Sequence, residues 1–236
     1  MPSAARHSAD KCADCSFRTL RLFCNLGDDA MRRLDEIGMH MALPGRAVVF
    51  KESQPAIGVF VVCEGQLKLS ATSRDGRVMI LRLAGGGDVL GLSAALNNMQ
   101  YEVTAETLEP TILKSVRRAD FLEFLQTYVE VGKNTSRVLA KEYHEVFLDA
   151  RRLALSGSAS GRLARLLLDW AATAACGKPE LRFTMALTHE ELANMAGTSR
   201  ETVTRLLNQF ERDKFIVRHG ASIVILSADQ LDLLAG

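Results

Sequence analysis

The sequence predicts an α+β protein with three main parts: an N-terminal antiparallel β-roll, a long dimerisation helix and a C-terminal winged helix-turn-helix. Short apolar runs separated by turn signals occupy residues 47–116, a pattern typical of a small β-roll. An apolar heptad pattern follows, and two capped helical segments and a hairpin pattern complete the chain. We therefore predict a cysteine-bearing arm (1–25), the roll (26–127), the dimerisation helix (128–155) and the winged helix-turn-helix (156–236).

The composition excludes several classes of protein. The 236 residues carry 29 Lys and Arg against 28 Asp and Glu, so the overall charge indicates no polyanionic partner. No stretch approaches the ~20 apolar residues of a membrane span, and the polar N-terminus lacks a secretory signal. We therefore expect a cytoplasmic protein without a membrane partner. Five cysteines, an odd number, argue against a disulfide scaffold in that compartment.

The first half of the chain combines one helical pattern with several strand patterns. Residues 26–43 have apolar side chains at helical spacing, which predicts a short helix: Met31, Leu34, Ile37 and Met41. Six apolar runs then predict strands at 47–50, 57–63, 66–71, 78–83, 102–107 and 111–116. Asp75-Gly76 lies between two of these runs and predicts a hairpin turn.

A long helical pattern begins near Asp120 and contains an apolar seam. Its members recur at spacings of 4, 3, 4 and 3: Leu139, Tyr143, Val146, Ala150 and Leu153. Because a seam without another partner usually pairs with its own copy, we predict a homodimer interface, with packing inside one domain as the alternative. The small residues at 155–161 predict a hinge before the last domain.

The most informative motif lies between residues 188 and 207. Thr188 with Glu191, and Thr198 with Glu201, have the spacing of capping boxes, which predicts two helices starting ten residues apart. Gly197 suits the left-handed turn between them. The second helix has an apolar face formed by Val203, Leu206, Leu207 and Phe210. Together these features predict a helix-turn-helix.

The opposite face of the second helix predicts DNA reading. It carries Arg200, Glu201, Thr204, Arg205 and Asn208. Arginine can donate two hydrogen bonds to guanine, and glutamate can accept one from cytosine. The hydroxyl groups of Ser199 and Thr202 and the amides of the helix N-terminus suit phosphate oxygens. The alternative is a solvated helix with an internal Glu–Arg pair.

Two further apolar runs, 215–217 and 222–226, flank a turn and predict a wing. Residues 156–236 contain nine Lys and Arg and nine Asp and Glu, so bulk charge contributes little to DNA affinity. Tight binding then requires two recognition helices at once, on a palindromic duplex with half-sites about 34 Å apart.

The order of these parts resembles the Crp/Fnr superfamily of bacterial transcription regulators, over most of the chain after residue 25. The most specific match is TSRETVTRLL at residues 198–207, with support from GDVLG at 87–91 and DGRVMIL at 75–81. The resemblance implies a cyclic-nucleotide-binding-like roll, a homodimer, RNA polymerase as a partner and no enzymatic activity.

The resemblance also implies site residues. Arg200, Glu201 and Arg205 become base readers, and Thr188, Ser199 and Thr202 become phosphate contacts. The Arg-Glu start of the recognition helix is similar to the cyclic-AMP-receptor branch, which implies TGTGA-like half-sites.

The sensor region departs from that branch. Leu92 stands where a ribose-binding Glu is expected, and Val103 and Thr104 replace an Arg-Ser pair that holds the cyclic phosphate. A phosphate without a cationic partner is costly in a closed pocket, so we do not expect cyclic AMP as the ligand.

The cysteines of the arm predict a sensor of another kind. Cys12 and Cys15 form a CxxC, followed by Cys24 after a gap of eight residues. This arm resembles the Fnr branch, whose N-terminal cysteines and one roll cysteine hold an oxygen-sensitive [4Fe–4S] cluster. The roll position expected for the fourth ligand is Lys114, which leaves Cys63, in a different strand, as the candidate. The implied metal ligands are Cys12, Cys15, Cys24 and Cys63.

Other interpretations of these cysteines stay open: zinc or another metal, a thiol switch, or no sensing role, with Cys63 simply in the core. We interpret Cys176, which lies beyond the predicted hinge, as a structural cysteine. The leading hypothesis for the whole chain is a homodimeric transcription regulator switched by a redox or gas signal. The alternatives are a regulator that senses a small organic ligand in the roll, and a thiol oxidoreductase that uses the CxxC. No other catalytic pattern supports an enzyme.

Overall fold

The computed structural model describes residues 12–15, 17–76, 78–155, 158–175, 181–185 and 187–235, without the side chains of 149–155, 172–175 and 184. The chain divides into two compact units, Met1–Glu145 and Val146–Gly236. None of the described helices combines the length and the apolar composition that crossing a bilayer requires.

The first unit contains the predicted roll. Two 3-10 turns, Cys12–Asp14 and Arg18–Leu20, precede α1 (Asp28–Ile37). The strands are β1 (Gly38–Leu43), β2 (Val48–Phe50), β3 (Gly58–Glu64), β4 (Leu67–Thr72), β5 (Val78–Ala84), β6 (Val89–Leu90), β7 (Thr104–Thr107) and β8 (Thr111–Arg117). The helices that accompany them are α2 (Leu92–Asn97), α3 (Arg118–Thr127) and α4 (Val129–Leu155).

The strands form two antiparallel sheets of four, in the orders β1-β8-β3-β6 and β2-β7-β4-β5. This arrangement confirms the predicted β-roll, and α4 is the predicted long helix. The sequence analysis missed α2, because a helix of six residues is too short to show a helical period.

The prediction of a helix over residues 26–43 is wrong beyond Ile37. The next six residues form β1, which pairs with β8 from Gly38 opposite Val116 to Leu43 opposite Thr111. Met41 keeps the helical spacing by coincidence, and as a strand residue it packs against the core of the roll. Pairing with a neighbouring strand overrides a short local pattern of this kind.

Two apolar clusters hold the first unit together. Inside the roll, Tyr101 stacks on Phe50 with ring centroids 4.0 Å apart, and its hydroxyl donates to the carbonyl of Gly58 at 2.8 Å. In the second cluster, Phe23 and Cys24 of the arm pack against α1, α3 and α4. Burial of Phe23 and Cys24 therefore fixes the end of the arm against these helices, and with it the position of Cys24.

The second unit contains the winged helix-turn-helix. Its elements are the end of α4, α5 (Ala159–Ala175), β9 (Arg182–Thr184), α6 (His189–Ala196), α7 (Arg200–Arg212), β10 (Ile216–His219), β11 (Ser222–Ile225) and α8 (Ala228–Ala235). The wing, β10 and β11 with their turn, lies where it was predicted, and β9 extends it to a three-stranded sheet. Neither β9 nor α8 was predicted from the sequence.

Part of the predicted hinge is helical. Ala159, Ser160 and Gly161 belong to α5, because Ser158 caps this helix by accepting the Gly161 N–H at 3.0 Å. Residues 156 and 157 of the predicted hinge lie outside the described residues, and so does Cys176.

Candidate nucleic-acid interface and cysteine centre

The first helix of the helix-turn-helix is fixed at both ends. The Thr188 hydroxyl accepts the Glu191 N–H at 3.2 Å, and the Glu191 carboxylate accepts the Thr188 N–H at 2.9 Å, which confirms the first capping box. Gly197 ends α6 with φ of +57°. The Arg162 guanidinium donates to the carbonyls of Ala196 at 2.7 Å and Gly197 at 3.2 Å, so the turn is held from α5.

The second predicted capping box, Thr198 with Glu201, is wrong by one residue. The N-cap of α7 is Ser199, whose hydroxyl accepts the Thr202 N–H at 3.2 Å. The Thr198 N–H donates to the Ala193 carbonyl at 2.9 Å, so Thr198 still belongs to the turn that ends α6. Ser199 is the first residue after that turn with the extended backbone an N-cap requires.

The two faces of α7 differ as predicted. The apolar face is buried: Val203, Leu206, Leu207 and Phe210. Arg200, Glu201 and Arg205 are exposed on the other side. An open groove of about 620 Å³ runs along that side, lined by Arg200, Glu201, Thr204, Arg205, Asn208 and Arg212. Arg212 was not among the predicted residues, because it follows the part of the helix that the motif covers.

Two hydroxyl groups near this face are already engaged within the protein. Thr204 donates to the Arg200 carbonyl at 3.0 Å and lies 2.8 Å from Nδ1 of His189. Thr188 donates to the Glu191 carboxylate at 3.0 Å. Burial, together with the charges of Arg218 and Arg200, lowers the pKa of His189. His189 was missed, since nothing in its sequence context indicates a contact 15 residues away.

Arg218 of β10 connects the wing to α7. Its Nε and Nη2 donate to Oε2 of Glu211 at 3.1 and 2.7 Å, and Nη2 also donates to Asn208 at 2.6 Å. The Arg218 guanidinium and N–H hold the pKa of Glu211 below its usual value. This contact was also missed, because it joins a strand to a helix.

The four arm and roll cysteines come together in the first unit. Cys15, Cys24 and Cys63 are buried and Cys12 is half-buried. Burial, and then the proximity of Cys12, Cys63 and Cys15, raises the pKa of Cys24 to about 12. Burial raises the pKa of Cys12 to about 11. The thiols of Cys12 and Cys24 therefore stay protonated at neutral pH unless a metal displaces their protons.

Three charged residues that the sequence analysis did not predict as site residues surround these thiols. The carboxylate of Asp35 accepts the N–H of Cys12 at 2.8 Å and that of Ala13 at 3.3 Å. Lys114, which is only 1 % exposed, donates from Nζ to Asp35. Arg21 donates from Nη2 to the carbonyl of Cys63 at 2.8 Å.

The spacing of the thiols distinguishes between kinds of metal site. A zinc ion with ~2.3 Å bonds places its sulfur ligands about 3.8 Å apart. Among the described residues, the one trio of ligand atoms within 4.8 Å of each other is Cys12, Asp35 and His40. The four thiols are thus farther apart than a single zinc ion requires.

The interior of the roll is filled by side chains at the positions where the resemblance expected nucleotide contacts. Leu92 is buried in the core beside α1 and α3. Val103 packs against the aromatic cluster of the roll, and the Thr104 hydroxyl accepts the Glu52 N–H at 3.0 Å. Among described residues the one buried charged side chain is Lys114, at the cysteine centre.

The predicted seam of α4 divides into two parts. Leu139 packs against the core of its own unit, which agrees with the alternative prediction that the seam packs inside one domain. Tyr143 and Val146 are 73 % and 62 % exposed. The side chains of Ala150 and Leu153 lie outside the description.

Comparisons with known proteins agree with this architecture. A cyclic nucleotide-binding domain matches residues 41–128, and a Crp-like helix-turn-helix domain matches residues 161–234. The "Probable transcriptional regulator flp" of Lacticaseibacillus casei is 29 % identical, covering 89 % of this chain and 94 % of the relative. The "Transcriptional activator protein anr" of Pseudomonas aeruginosa is 27 % identical, covering 95 % and 92 %.

A solved structure shows the same fold. FixK2 from Bradyrhizobium japonicum superposes with a TM-score of 0.76 at 22 % identity, covering 85 % of this chain and 98 % of that one. The two matched domains together span more than half of the chain, and the similar proteins are named as transcription regulators, which are not enzymes. The chain belongs to the Crp/Fnr family of DNA-binding transcription regulators.

Proposed function

We propose that this regulator binds palindromic double-stranded DNA as a homodimer, and that a metal centre on four cysteines sets its DNA affinity in response to oxygen or redox state. One observation carries the DNA-reading part. The recognition helix α7 exposes Arg200, Glu201 and Arg205 on the side opposite its buried apolar face. A helix with this division can enter the major groove while it stays anchored in its domain.

The exposed side chains match the chemistry of particular bases. Arg200 and Arg205 can each donate two hydrogen bonds to the O6 and N7 atoms of guanine, and Glu201 can accept from the amino group of cytosine. The Glu201 N–H and the Ser199 hydroxyl lower the pKa of the Glu201 carboxyl group, which favours the ionised acceptor. The Arg-Glu order is the basis for proposing TGTGA-like half-sites.

Phosphate contacts fit best at the N-terminus of α7. Ser199 and Thr202 are N-cap and N3, beside backbone amides that point out of the helix end. The hydroxyl groups of Thr188 and Thr204 donate inside the protein, and those of Ser199 and Thr202 share a hydrogen bond at 3.1 Å. A contact from Thr188 to a phosphate requires its hydroxyl group to turn away from Glu191 and donate to the phosphate oxygen. We assign Thr204 an apolar contact through its methyl group.

Dimerisation is supported by the surface of α4 and by the charge balance. Tyr143 and Val146 expose large apolar side chains on a helix long enough for a two-helix interface. Because residues 156–236 carry equal numbers of basic and acidic residues, two recognition helices about 34 Å apart supply the affinity that one cannot. A regulator that occupies a promoter in this way would also contact RNA polymerase.

The cysteine centre fits an iron–sulfur cluster better than a single ion. Four cysteines supply the thiolates that a [4Fe–4S] cluster requires. Their spacing exceeds that of a zinc site, and the buried Lys114 offsets negative charge. When bound, such a cluster would supply reactivity toward oxygen. The protein residues hold it, exclude water by burial and keep the arm packed on the roll.

A series of polar and packing contacts runs from this centre to α4. Arg21, which binds the Cys63 carbonyl, passes over Gly86 and Gly87, where an added Cβ would lie 2.7 and 2.9 Å from its side chain. Asp88, the next residue, lies 3.6 Å from Nη1 of Arg82. Nη2 of Arg82 donates to Glu142 of α4 at 2.7 Å.

We propose that this chain of contacts couples the state of the cysteine centre to the helix that leads to the DNA-binding unit. A movement of Arg21 would change the support of Asp88, and with it the Arg82–Glu142 contact on α4. Coupling of this kind needs an element with two arrangements that both sites can bias. The arm is the candidate, because its packing depends on the cysteines.

Two measurements test the proposal. Palindromic duplexes with half-sites one helical turn apart should bind two chains, and moving the half-sites by half a turn (about 5 base pairs) should abolish tight binding. One chain per duplex, or indifference to spacing, contradicts the dimer. Protein purified without oxygen should contain iron and sulfide and absorb visible light. A colourless, iron-free sample contradicts the cluster and leaves the DNA reading intact.

A further inference from the structure

We propose that Lys114 is the resident counter-cation of the cysteine centre, and that Asp35 is a positioning residue that holds both Lys114 and the Cys12 turn in place. This inference rests on the proposed iron–sulfur function and assigns roles to two residues outside the ligand set.

The glycine at position 38 leaves space for the side chain of Lys114. Lys114 extends from β8 opposite His40 of β1, and its side chain runs past Gly38 at the junction of α1 and β1. A Cβ on Gly38 would lie 2.6 Å from Cδ of Lys114, so no larger residue fits there without displacing the lysine. An ammonium group buried to this degree is costly unless it is paired and hydrogen-bonded.

Asp35 supplies that pairing and binds the ligand turn as well. The same Oδ1 atom accepts from Lys114 and from the N–H of Cys12, while Oδ2 accepts from the N–H of Ala13. One carboxylate of α1 therefore orients the first turn of the CxxC and the ammonium group together. Partners of this kind, one step removed from the ligands, fix ligand orientation in metal sites.

Lys114 is the positive member of an ion pair beside the CxxC turn. Its Nζ donates to the Asp35 carboxylate, and this pairing favours the ammonium form of the buried side chain. Four thiolates around an iron–sulfide core carry net negative charge, which a buried cation stabilises.

The position of Lys114 strengthens this assignment. It occupies the strand position at which the resemblance places a fourth cysteine ligand, while Cys63 lies in the neighbouring strand β3, which pairs with β8. The site thus has a positive charge at a position where a thiolate would otherwise add a negative one.

The experiment compares variants in full-length protein reconstituted without oxygen with ferrous iron and sulfide. Lys114→Met should shift the reduction potential of the centre to more negative values, because reduction adds negative charge that no cation then offsets. Asp35→Asn should shift it to more positive values, because Lys114 then lacks its counter-ion. Lys114→Met should also lose iron to a chelator about tenfold faster, at the lower end of the effect of such partners.

Two controls separate charge from folding. Lys68→Met removes a mostly buried lysine that pairs with Glu106 at 3.2 Å on the other sheet, and it should leave the potential unchanged. Lys114→Arg keeps the charge and should restore the wild-type potential in any preparation that takes up iron. If Lys114→Met does not fold, Lys114→Gln, which also removes the charge but keeps a polar group, takes its place in the comparison with Asp35→Asn.

The outcomes distinguish this inference from the proposed function. Shifts of opposite sign for Lys114→Met and Asp35→Asn support the counter-cation role, since a purely structural defect would move both variants in the same direction. Unchanged potentials, or shifts of the same sign, in variants that load iron overturn the role of Lys114 and leave the cluster intact. A wild-type protein that takes up no iron overturns both.

Discussion

Arg218 in the first strand of the wing holds Glu211 of the recognition helix through two guanidinium nitrogens, at 3.1 and 2.7 Å from one carboxylate oxygen. The Arg218 N–H donates to the other oxygen of the same carboxylate at 3.1 Å. Charge-assisted contacts of this kind fix orientation as well as distance. These contacts therefore fix the wing and α7 relative to each other, on the surface that would contact a duplex.

Arg218→Met should weaken DNA binding for every sequence alike. The wing would lose its fixed position relative to α7, and no base-specific contact would change. The unfolding free energy should fall by about 1 kcal/mol, the upper range for a partly exposed pair. Fluorescence anisotropy on specific and scrambled duplexes, with urea unfolding, measures both effects. Unchanged affinity on both duplexes would show that the wing needs no such support.

Arg200→Ala and Arg205→Ala should each weaken binding selectively. Each variant should lose about 1–3 kcal/mol of discrimination at one base pair, because each guanidinium contacts a guanine edge. Competition with duplexes substituted at single positions measures this loss. Arg117→Ala, which removes an equal charge from an 82 % exposed residue of the roll, is the matched control and should have no effect. A uniform loss across sequences would mean phosphate contacts.

Much of the DNA-reading surface could be predicted from the sequence because its signals are local. Capping residues, a glycine turn and an apolar face fall within 23 residues, from Thr188 to Phe210, and the structure places each of them in one motif. The one-residue error at Thr198 arose because the turn that ends α6 competes for this residue. Contacts such as Arg218 to Glu211 join different elements, and no periodic pattern in the sequence indicates them.

The second unit should lose stability as the pH falls through about 6.5. The folded pKa of His189 lies below its unfolded value of about 6.5, so the unfolded chain binds more protons in that range and protonation favours unfolding. Burial beside Arg218 and Arg200 is the cause. Between about pH 7.5 and 5.5, the free energy of unfolding of His189→Gln should fall by less than that of the wild type. If the free energy of unfolding depends on pH identically in both proteins, His189 is not the source of the pH dependence.

Arg82→Met should separate sensing from DNA binding. The variant should retain iron, because Arg82 does not contact the cysteines, but its DNA affinity should no longer change when the cluster is lost. Lys141→Met is the control: it removes an exposed cation that pairs with Glu145 on the same helix, at 3.6 Å. If loss of the cluster changes the DNA affinity of Arg82→Met as much as that of the wild type, the Arg82–Glu142 contact does not belong to the coupling route.

The cysteine centre was only partly predictable from the sequence. The CxxC indicated a metal or redox site, and the resemblance implied Cys24 and Cys63 as its other members. Asp35 and Lys114 could not be found this way, because the contact joins residues 79 positions apart and depends on how β8 lies against α1. The helix–strand boundary at Gly38 was misassigned for the same reason: long-range pairing decided it.

The most direct test of the account measures DNA affinity in the two states of one sample. Full-length protein loaded with iron and sulfide is titrated into a palindromic duplex without oxygen, and the titration is repeated after air exposure, with iron loss verified. The account predicts a change of about 5–150-fold, typical of coupled sites, and no change for Cys24→Ser. Equal affinities before and after loss of the iron would contradict it.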